Sequence, residues 1–426
     1  MLQRLKIVGF KSIRSAELTF GRANIFIGPN GAGKSNVLEA LGVLSSALSR
    51  GLEPSVLADR GVRLSLPRVF KSAFKARPLS PHLRLEAEFE HGHYECSIRA
   101  GVQSRRLEFH SETLFEGKAK VFGRGPNGTK VSRRFVDIEG GDLSRINSTR
   151  SVWDTISPFA SISEEFRSEL DEFSRFSIFA PQTAVMRGLA TESRIVQPLG
   201  LAGSGLASAF RDVLRERSSH SKEERAQYKK VISLITKPGW LNRILVGGYD
   251  ANVVPSEVSS EGLLLYFRDK FMAEKRNLLS AYDASEGTLY LTFIATLLLH
   301  KDTPRVFALD NVDGTLNPDL VRNLTDTVVG LSSTGIGVGD LTHQSFMTSH
   351  HPASIDSFDI FDEKHRVYTV GRDALQSGAT EFKPILPPEG VSKDGWIEET
   401  RGKNLSALWL EGKIPGALST PGDILS

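Results

Sequence analysis

Near the start of the chain, the octapeptide Gly28-Pro29-Asn30-Gly31-Ala32-Gly33-Lys34-Ser35 has the residue types and spacing of a phosphate-cradling loop. Its glycines let backbone N–H groups turn inward around phosphate oxygens, and a helix that follows adds the positive end of its dipole. Lys34 would reach the β- and γ-phosphates, and the Ser35 hydroxyl would ligate a divalent cation. Such a site also needs a metal-positioning carboxylate at the end of an apolar strand, and the run Arg305-Val306-Phe307-Ala308-Leu309-Asp310 supplies one.

Asp310 lies about 275 residues beyond the loop, too far for a compact P-loop kinase or GTPase. Two more motifs flank it. Asp283-Ala284-Ser285-Glu286-Gly287-Thr288-Leu289 opens a helix about 25 residues before it. Phe346-Met347-Thr348-Ser349-His350-His351-Pro352 closes a strand about 40 residues after it.

The elements that must position these residues are legible from hydrophobic period. Residues 2–10, 16–20 and 25–27 read as strands, and Val37, Leu38, Ala40, Leu41 and Leu44 recur at helical spacing behind the loop. Residues 83–136 alternate apolar with charged, with turn signals at His91-Gly92, Gly123 to Gly125 and Asn127-Gly128, which predict antiparallel hairpins. Segments 151–175 and 203–236 are helical and charged, without a sustained heptad. Strand character returns at 241–254, 262–267, 305–310 and 345–348, with a helix over 287–300. The proline-bearing end reads as a tail whose apolar island, Leu405 to Leu410, docks on the body. The expected organisation is an N-terminal lobe over 1–150, a helical insertion over 151–240, a C-terminal lobe over 241–380 and the tail over 381–426.

Length and composition agree with such a protein. The chain has 426 residues, 40% hydrophobic and 24% charged, with 38 Gly and 19 Pro, which excludes collagen-like and wholly disordered classes. Two or three folding units are expected. A net charge of +3 excludes a polybasic binder acting through overall charge. The single cysteine, Cys96, excludes an intrachain disulfide or a cysteine-based zinc site and reads as a small buried strand residue. The N-terminus interleaves basic and apolar residues, unlike a signal peptide, and the apolar run around Leu289 to Leu299 is short of the roughly 20 residues that span a bilayer. A cytoplasmic protein with no membrane partner is expected.

The order of motifs resembles the ABC-type ATPases, specifically the SMC and RecF branch that includes the AAA-21 and OLD-like ATPases. Residues 1–50 and 280–356 carry it, including Phe10-Lys11-Ser12 before the loop and Asn36 after it. The resemblance implies an α/β fold: an ABC-type P-loop ATPase head with an antiparallel β subdomain and a helical insertion. It implies ATP and Mg²⁺ as cofactors, with Gly28 to Ser35 and Asn36 binding nucleotide and Ser35 and Asp310 holding the metal. Ser285, Glu286 and Gly287 match the signature motif, which in this family acts on nucleotide held by the partner protomer. Thr315 to Asn317 match the D-loop, and His350 the switch histidine. Lys34, Asp310, Asn311 and His350 are then the candidate catalytic set.

One position departs from the family's pattern. Asn311 follows Asp310 where a glutamate normally orients the attacking water. An amide can hydrogen-bond water but cannot take its proton at neutral pH, and general-base help is worth about 10²–10⁴-fold. Slow hydrolysis is expected unless another carboxylate, Asp313 first, takes the role.

Long coiled-coil arms are absent, unlike a true SMC protein. The 75 or so residues after His351 lead us to expect no second catalytic domain of the OLD nuclease type, and Asp356, Asp359, Asp362 and Glu363 read as a solvated edge. An ATPase lacking its own effector resembles the ATP-binding subunits of bacterial anti-phage systems such as Septu and PARIS. The implied partners are a second copy of the chain and a separate nuclease or toxin. The alternative is a RecF-like ATPase that clamps DNA in repair. Arg60, Arg63, Arg68, Lys71, Lys75 and Arg77 form one basic cluster, and Lys118, Lys120, Arg124, Lys130, Arg133 and Arg134 another. Nucleic-acid contact, protein contact and plain solvation all remain open for them.

Overall fold

The computed structural model describes residues 1–75, 81–100, 106–136, 146–192, 198–216, 221–256, 262–334, 343–373 and 377–414. Two large sheets enclose the helix that follows the glycine loop. The antiparallel sheet runs β2-β1-β4-β5-β6-β7-β8. Its strands are β1 (Leu2–Phe10), β2 (Ile13–Thr19), β4 (Leu83–Phe89), β5 (Gly92–Ala100), β6 (Leu107–Glu116), β7 (Ala119–Gly125) and β8 (Gly128–Val131). The second sheet runs β16-β15-β3-β14-β13-β9. It contains β3 (Ala23–Ile27), β9 (Ser177–Phe179), β13 (Val306–Leu309), β14 (Gln344–Ser349), β15 (His365–Arg372) and β16 (Thr380–Pro384). All its pairings are parallel except that of β16 with β15. A small antiparallel sheet joins β10 (Leu241–Gly247), β11 (Leu264–Asp269) and β12 (Leu278–Ser280).

Strand period divides the interior into two cores. On β3, Phe26 packs in the core shared with the antiparallel sheet, while Ile25 and Ile27 face the other. On β13, Val306 and Ala308 take the first side and Phe307 and Leu309 the second; on β14, Phe346 and Met347 divide likewise. Successive strand side chains alternate faces, so strands covered on both sides are mostly apolar, and the buried Asn24 of β3 is satisfied by Gly21 and Ser345. All five residues of β3 are buried accordingly. The helix Lys34–Leu48 fills the first core. The helices Glu286–Leu299 and Pro318–Thr334 cover the second.

The turn read at Gly123 to Gly125 is corrected: these glycines end β7, and the chain reverses at Pro126 and Asn127. Neither basic cluster is a continuous solvated face. Arg60 is largely buried, which lowers its guanidinium pKa to about 10. Arg124 pairs at 2.6 Å with Glu112, whose carboxylate is fully buried and also accepts from Tyr94, Ser151 and Val152. Burying a charge is tolerated only with such pairing. Arg77 lies outside the described residues.

Asp356 does not sit on a solvated edge either. Its carboxylate accepts from Arg322 Nε (2.7 Å), Ser406 N (2.8 Å) and Ser406 Oγ (2.9 Å). This ties the helix Leu405–Leu410 to the body, where Leu405, Leu408 and Trp409 join the second core. Cys96 is buried on β5. Among the described residues no helix is long and apolar enough to cross a membrane.

Candidate functional site

The glycine loop leaves the end of β3 and enters its helix at Gly33, whose φ of +107° favours glycine. A Cβ there would lie 2.2 Å from Thr380 Oγ1. The helix start has no side-chain cap and no acidic residue in its first turn, so its N–H groups and dipole are unopposed. Lys34 is almost buried and donates to Gly28 O (2.7 Å) and Pro29 O (3.0 Å). Burial holds its ammonium below the usual range, against the pull of Asp313 and then Asp310. A half-desolvated cation satisfied only by carbonyls fits an anionic ligand.

Parallel pairing of β13, β14 and β3 brings their C-terminal ends beside the loop. Ser35 Oγ and Thr348 Oγ1 donate to Asp310 Oδ1 at 2.9 and 2.6 Å. Thr348 Oγ1 in turn accepts from Asn311 N at 2.8 Å. The Asp310 carboxylate and Ser35 hydroxyl are hard oxygen donors of the kind that suit Mg²⁺, and Thr348 orients the carboxylate. The backbone of Asn311 is left-handed, with φ +62°. Asparagine tolerates that region better than most side chains.

Asn311 Oδ1 lies 3.2 Å from His350 Nδ1. The same ring nitrogen is 3.1 Å from Asp313 Oδ2, so the acceptors around it call for a proton on Nδ1. Asp313 is buried, and its Oδ2 also accepts from the backbone N–H of His350 (3.1 Å) and His351 (2.8 Å). Its Oδ1 has no partner among the described residues. Through Oδ2 Asp313 holds the His350–His351 backbone, and it is not among the residues lining the cavity.

That cavity measures about 470 Å³ and is lined by Asn30, Gly31, Gly33, Lys34, Ser35, Asn36, Asp310, Asn311, Thr348 and His350. Gly28, Pro29 and Ala32 belong to the same loop; the first two carry the carbonyls on which Lys34 rests. The signature residues are not part of this cavity. Ser285 and Glu286 are exposed at the start of their helix, where Ser285 Oγ accepts from Thr288 N (3.2 Å). Gly287 adjoins the Thr315 to Asn317 segment: a Cβ on it would meet Leu316 at 3.3 Å.

Two lining residues escaped motif reading, Arg63 and Arg372. Arg63 is gripped at 2.7 Å by Glu39, which is buried on the loop's own helix and also binds Lys11. Arg372, at the end of β15, donates to Gly31 O (3.0 Å) and Gly378 O (2.9 Å). Asn36, Ser12 and Thr380 form a donor chain ending on Ala32 O, with links of 2.6, 2.6 and 2.8 Å. This gives Ser12 and Asn36, at either side of the loop, a structural role: they help satisfy its backbone through the β15–β16 hairpin. Ser12 and Asn36 had been singled out by the resemblance, Arg63 only by its place in a basic run, and Arg372 by nothing.

The family described as "AAA domain, putative AbiEii toxin, Type IV TA system" matches residues 23–356. The DNA replication and repair protein RecF of Leifsonia xyli subsp. xyli is 32% identical over 138 residues, 31% of this chain and 34% of that protein. RecF of Magnetococcus marinus is 45% identical over 60 residues, 14% of this chain and 16% of that protein. The chain thus spans about a third or less of the length of these curated relatives. An SMC head solved bound to the C-winged helix domain of ScpA shares the fold, with TM-score 0.51 and 13% identity, covering 90% of this chain and 98% of that one.

Proposed function

The chain belongs to the AAA_21 family and is an ABC-type ATPase of the SMC and RecF-like branch, and on that premise we propose that it is a slow, ATP-held switch controlling a separate effector. ATP would be cradled by Gly28 to Ser35 and Asn36, with Arg63 and Arg372 adding positive charge at the rim. Mg²⁺, when bound, would be held by Ser35 and Asp310 and would neutralise phosphate charge. Ser285, Glu286 and Gly287 of a second copy would complete the site, since none of the three lines its own chain's cavity and Ser285 and Glu286 are exposed.

The observation that carries the slow-turnover reading is the pairing of Asn311 with His350. Asp310 is the one carboxylate among the cavity's lining residues, and two hydroxyls already engage its Oδ1. Asp313 stands outside that lining, and its Oδ2 is engaged by the backbone of His350 and His351. On this reading Asn311 orients a water there, while among the described residues that line the cavity no carboxylate besides Asp310 stands ready to take its proton. Long-lived ATP suits a protein whose output is an assembly state. Defence against phage through a nuclease or toxin partner rests on the resemblance to Septu and PARIS ATPases, and the toxin–antitoxin wording of the family is compatible with it.

Light scattering after gel filtration tests the switch. ATP with Mg²⁺ should convert the chain to a dimer or an assembly of dimers, ADP should not, and Lys34→Ala should abolish the response. Ser285→Arg should retain nucleotide binding and lose the dimer. An oligomeric state indifferent to nucleotide would overturn the proposal. The RecF relatives favour a second reading, an ATPase acting on DNA; ATP-dependent binding of duplex DNA that falls steeply with salt would support it.

A further inference from the structure

A second cavity, also about 470 Å³, opens on the solvent face of the antiparallel sheet, away from the glycine loop. It is lined by side chains from four neighbouring strands, and their registers sort them into two rows. In one row Arg84 stands opposite Val8 on β1 and Ser97 on β5, and Ser97 stands opposite Ser111 on β6. In the other, Lys6 stands between Glu17 and Glu86, and Glu86 is opposite Glu95. The first row contains no acid. The second lies two residues along each strand, roughly 7 Å away, with its charge partly offset by Lys6.

The sheet is deformed where the first row ends. The pairing of β5 with β6 shifts between Ser97 and Ile98, so that Ser97 faces Ser111, Ile98 faces Phe109 and His110 is the extra residue. Such bulges re-aim side chains and concentrate beside functional sites. Here His110 is set against His82, with ring centroids 3.9 Å apart and planes 16° from parallel. Arg84 has no carboxylate within ion-pair distance among the described residues, in contrast to Arg99, which pairs with Glu108 at 2.9 Å. Ser97 is 7% exposed, and its buried hydroxyl has no hydrogen-bond partner among the described residues. A buried unpaired hydroxyl carries a desolvation cost, which a turn of the Ser97 side chain towards a polar ligand in the adjoining cavity would relieve.

We propose that this cavity is a phosphate site, in which Arg84, His82, His110 and the hydroxyls of Ser97 and Ser111 receive an inorganic phosphate or a phosphate monoester. Guanidinium and imidazolium donors make charge-assisted hydrogen bonds to phosphate oxygens, and the hydroxyls fill the remaining acceptor positions. Among the described residues, the basic groups His110 on β6, Lys71, Arg84 on β4 and Arg99 on β5 act on His82. Burial and then these charges hold its imidazole below the ordinary value, and an anion arriving between them would reverse that pressure. Binding should accordingly strengthen as pH falls through the histidine range and weaken towards pH 8. The site is independent of the proposed switch, sharing no residue with the nucleotide cavity.

The test is a titration of the full chain with inorganic phosphate and, separately, with AMP, following the imidazole C–H signals of His82 and His110 by NMR. Each signal is assigned by its loss in His82→Gln or His110→Gln. Both signals should shift saturably at millimolar phosphate, in the parent and in Lys34→Ala alike. Arg84→Gln should weaken binding at least about tenfold, the loss of one charge-assisted hydrogen bond, and Arg84→Lys should restore part of it. Tighter binding of AMP would identify a monoester as the ligand, and tighter phosphate the free anion. Signals that do not move, that move equally in Arg84→Gln, or that move only when Lys34 is intact would overturn the proposal.

Discussion

Asp313 receives the backbone N–H of His350 at 3.1 Å and lies within the same distance of that histidine's Nδ1. One buried carboxylate thus engages both the main chain and the ring of His350, and accepts from His351 N as well. Replacing it by Ala leaves those donors unsatisfied in a buried place, which costs about 1–3 kcal/mol. Asp313→Ala should lower unfolding stability by that order in denaturant melts. It should also weaken ATP-dependent assembly while nucleotide binding persists. Unchanged stability would mean that the loop is held by other contacts.

Thr348 ties the Asp310 carboxylate to the backbone of the residue that follows it: its hydroxyl donates to Asp310 Oδ1 and accepts from Asn311 N. Thr348→Val keeps the size and removes both bonds. Partners that orient a metal-binding carboxylate are worth about 10–100-fold in metal affinity. The Mg²⁺ concentration for half-maximal ATP binding should rise by that factor, with little change in metal-free nucleotide affinity. An unaltered Mg²⁺ requirement would show that Asp310 is oriented without the hydroxyl.

His343 precedes β14 and is buried against Phe307, with its Nδ1 unpaired among the described residues. Burial lowers its pKa from the usual 6.5 to about 4, assisted by Arg305 and opposed by a bond at Leu298. Above pH 6.5 the ring is neutral in both folded and unfolded chains and costs nothing. Below it the unfolded chain takes a proton that the folded one refuses, so stability falls between pH 6.5 and about 4. The loss is at most roughly 3 kcal/mol. His343→Gln should flatten this part of the stability profile, measured by urea melts across pH. A slope that survives the substitution would assign it to other groups.

The α/β ATPase fold was legible because its central strands are buried on both faces and its loop must turn between strand and helix. Asp310 and His350 could be named because each ends such a strand, where a local motif carries the signal. Arg63 and Arg372 could not, since nothing near them in sequence says that β15 ends beside Gly31 or that Glu39 holds an arginine at the cavity. The three residues of β9 are shorter than any period can register. The glycines of β7 imitate a turn, because glycine marks permitted backbone freedom rather than its use. Asp356 looked solvated because the helix that covers it begins about fifty residues later.

The most direct test of the slow switch is phosphate release at saturating ATP and Mg²⁺, comparing the chain with Asn311→Glu. Asn311→Asp serves as a companion, since aspartate shares the tolerance of asparagine for the left-handed backbone while glutamate must bear about 1–2 kcal/mol of strain there. The account predicts a nearly inert parent and a rise on the order of 10²-fold or more when a carboxylate of sufficient reach is restored. A parent that already hydrolyses ATP briskly, and is unaffected by either substitution, would contradict it and return the catalytic role to another group.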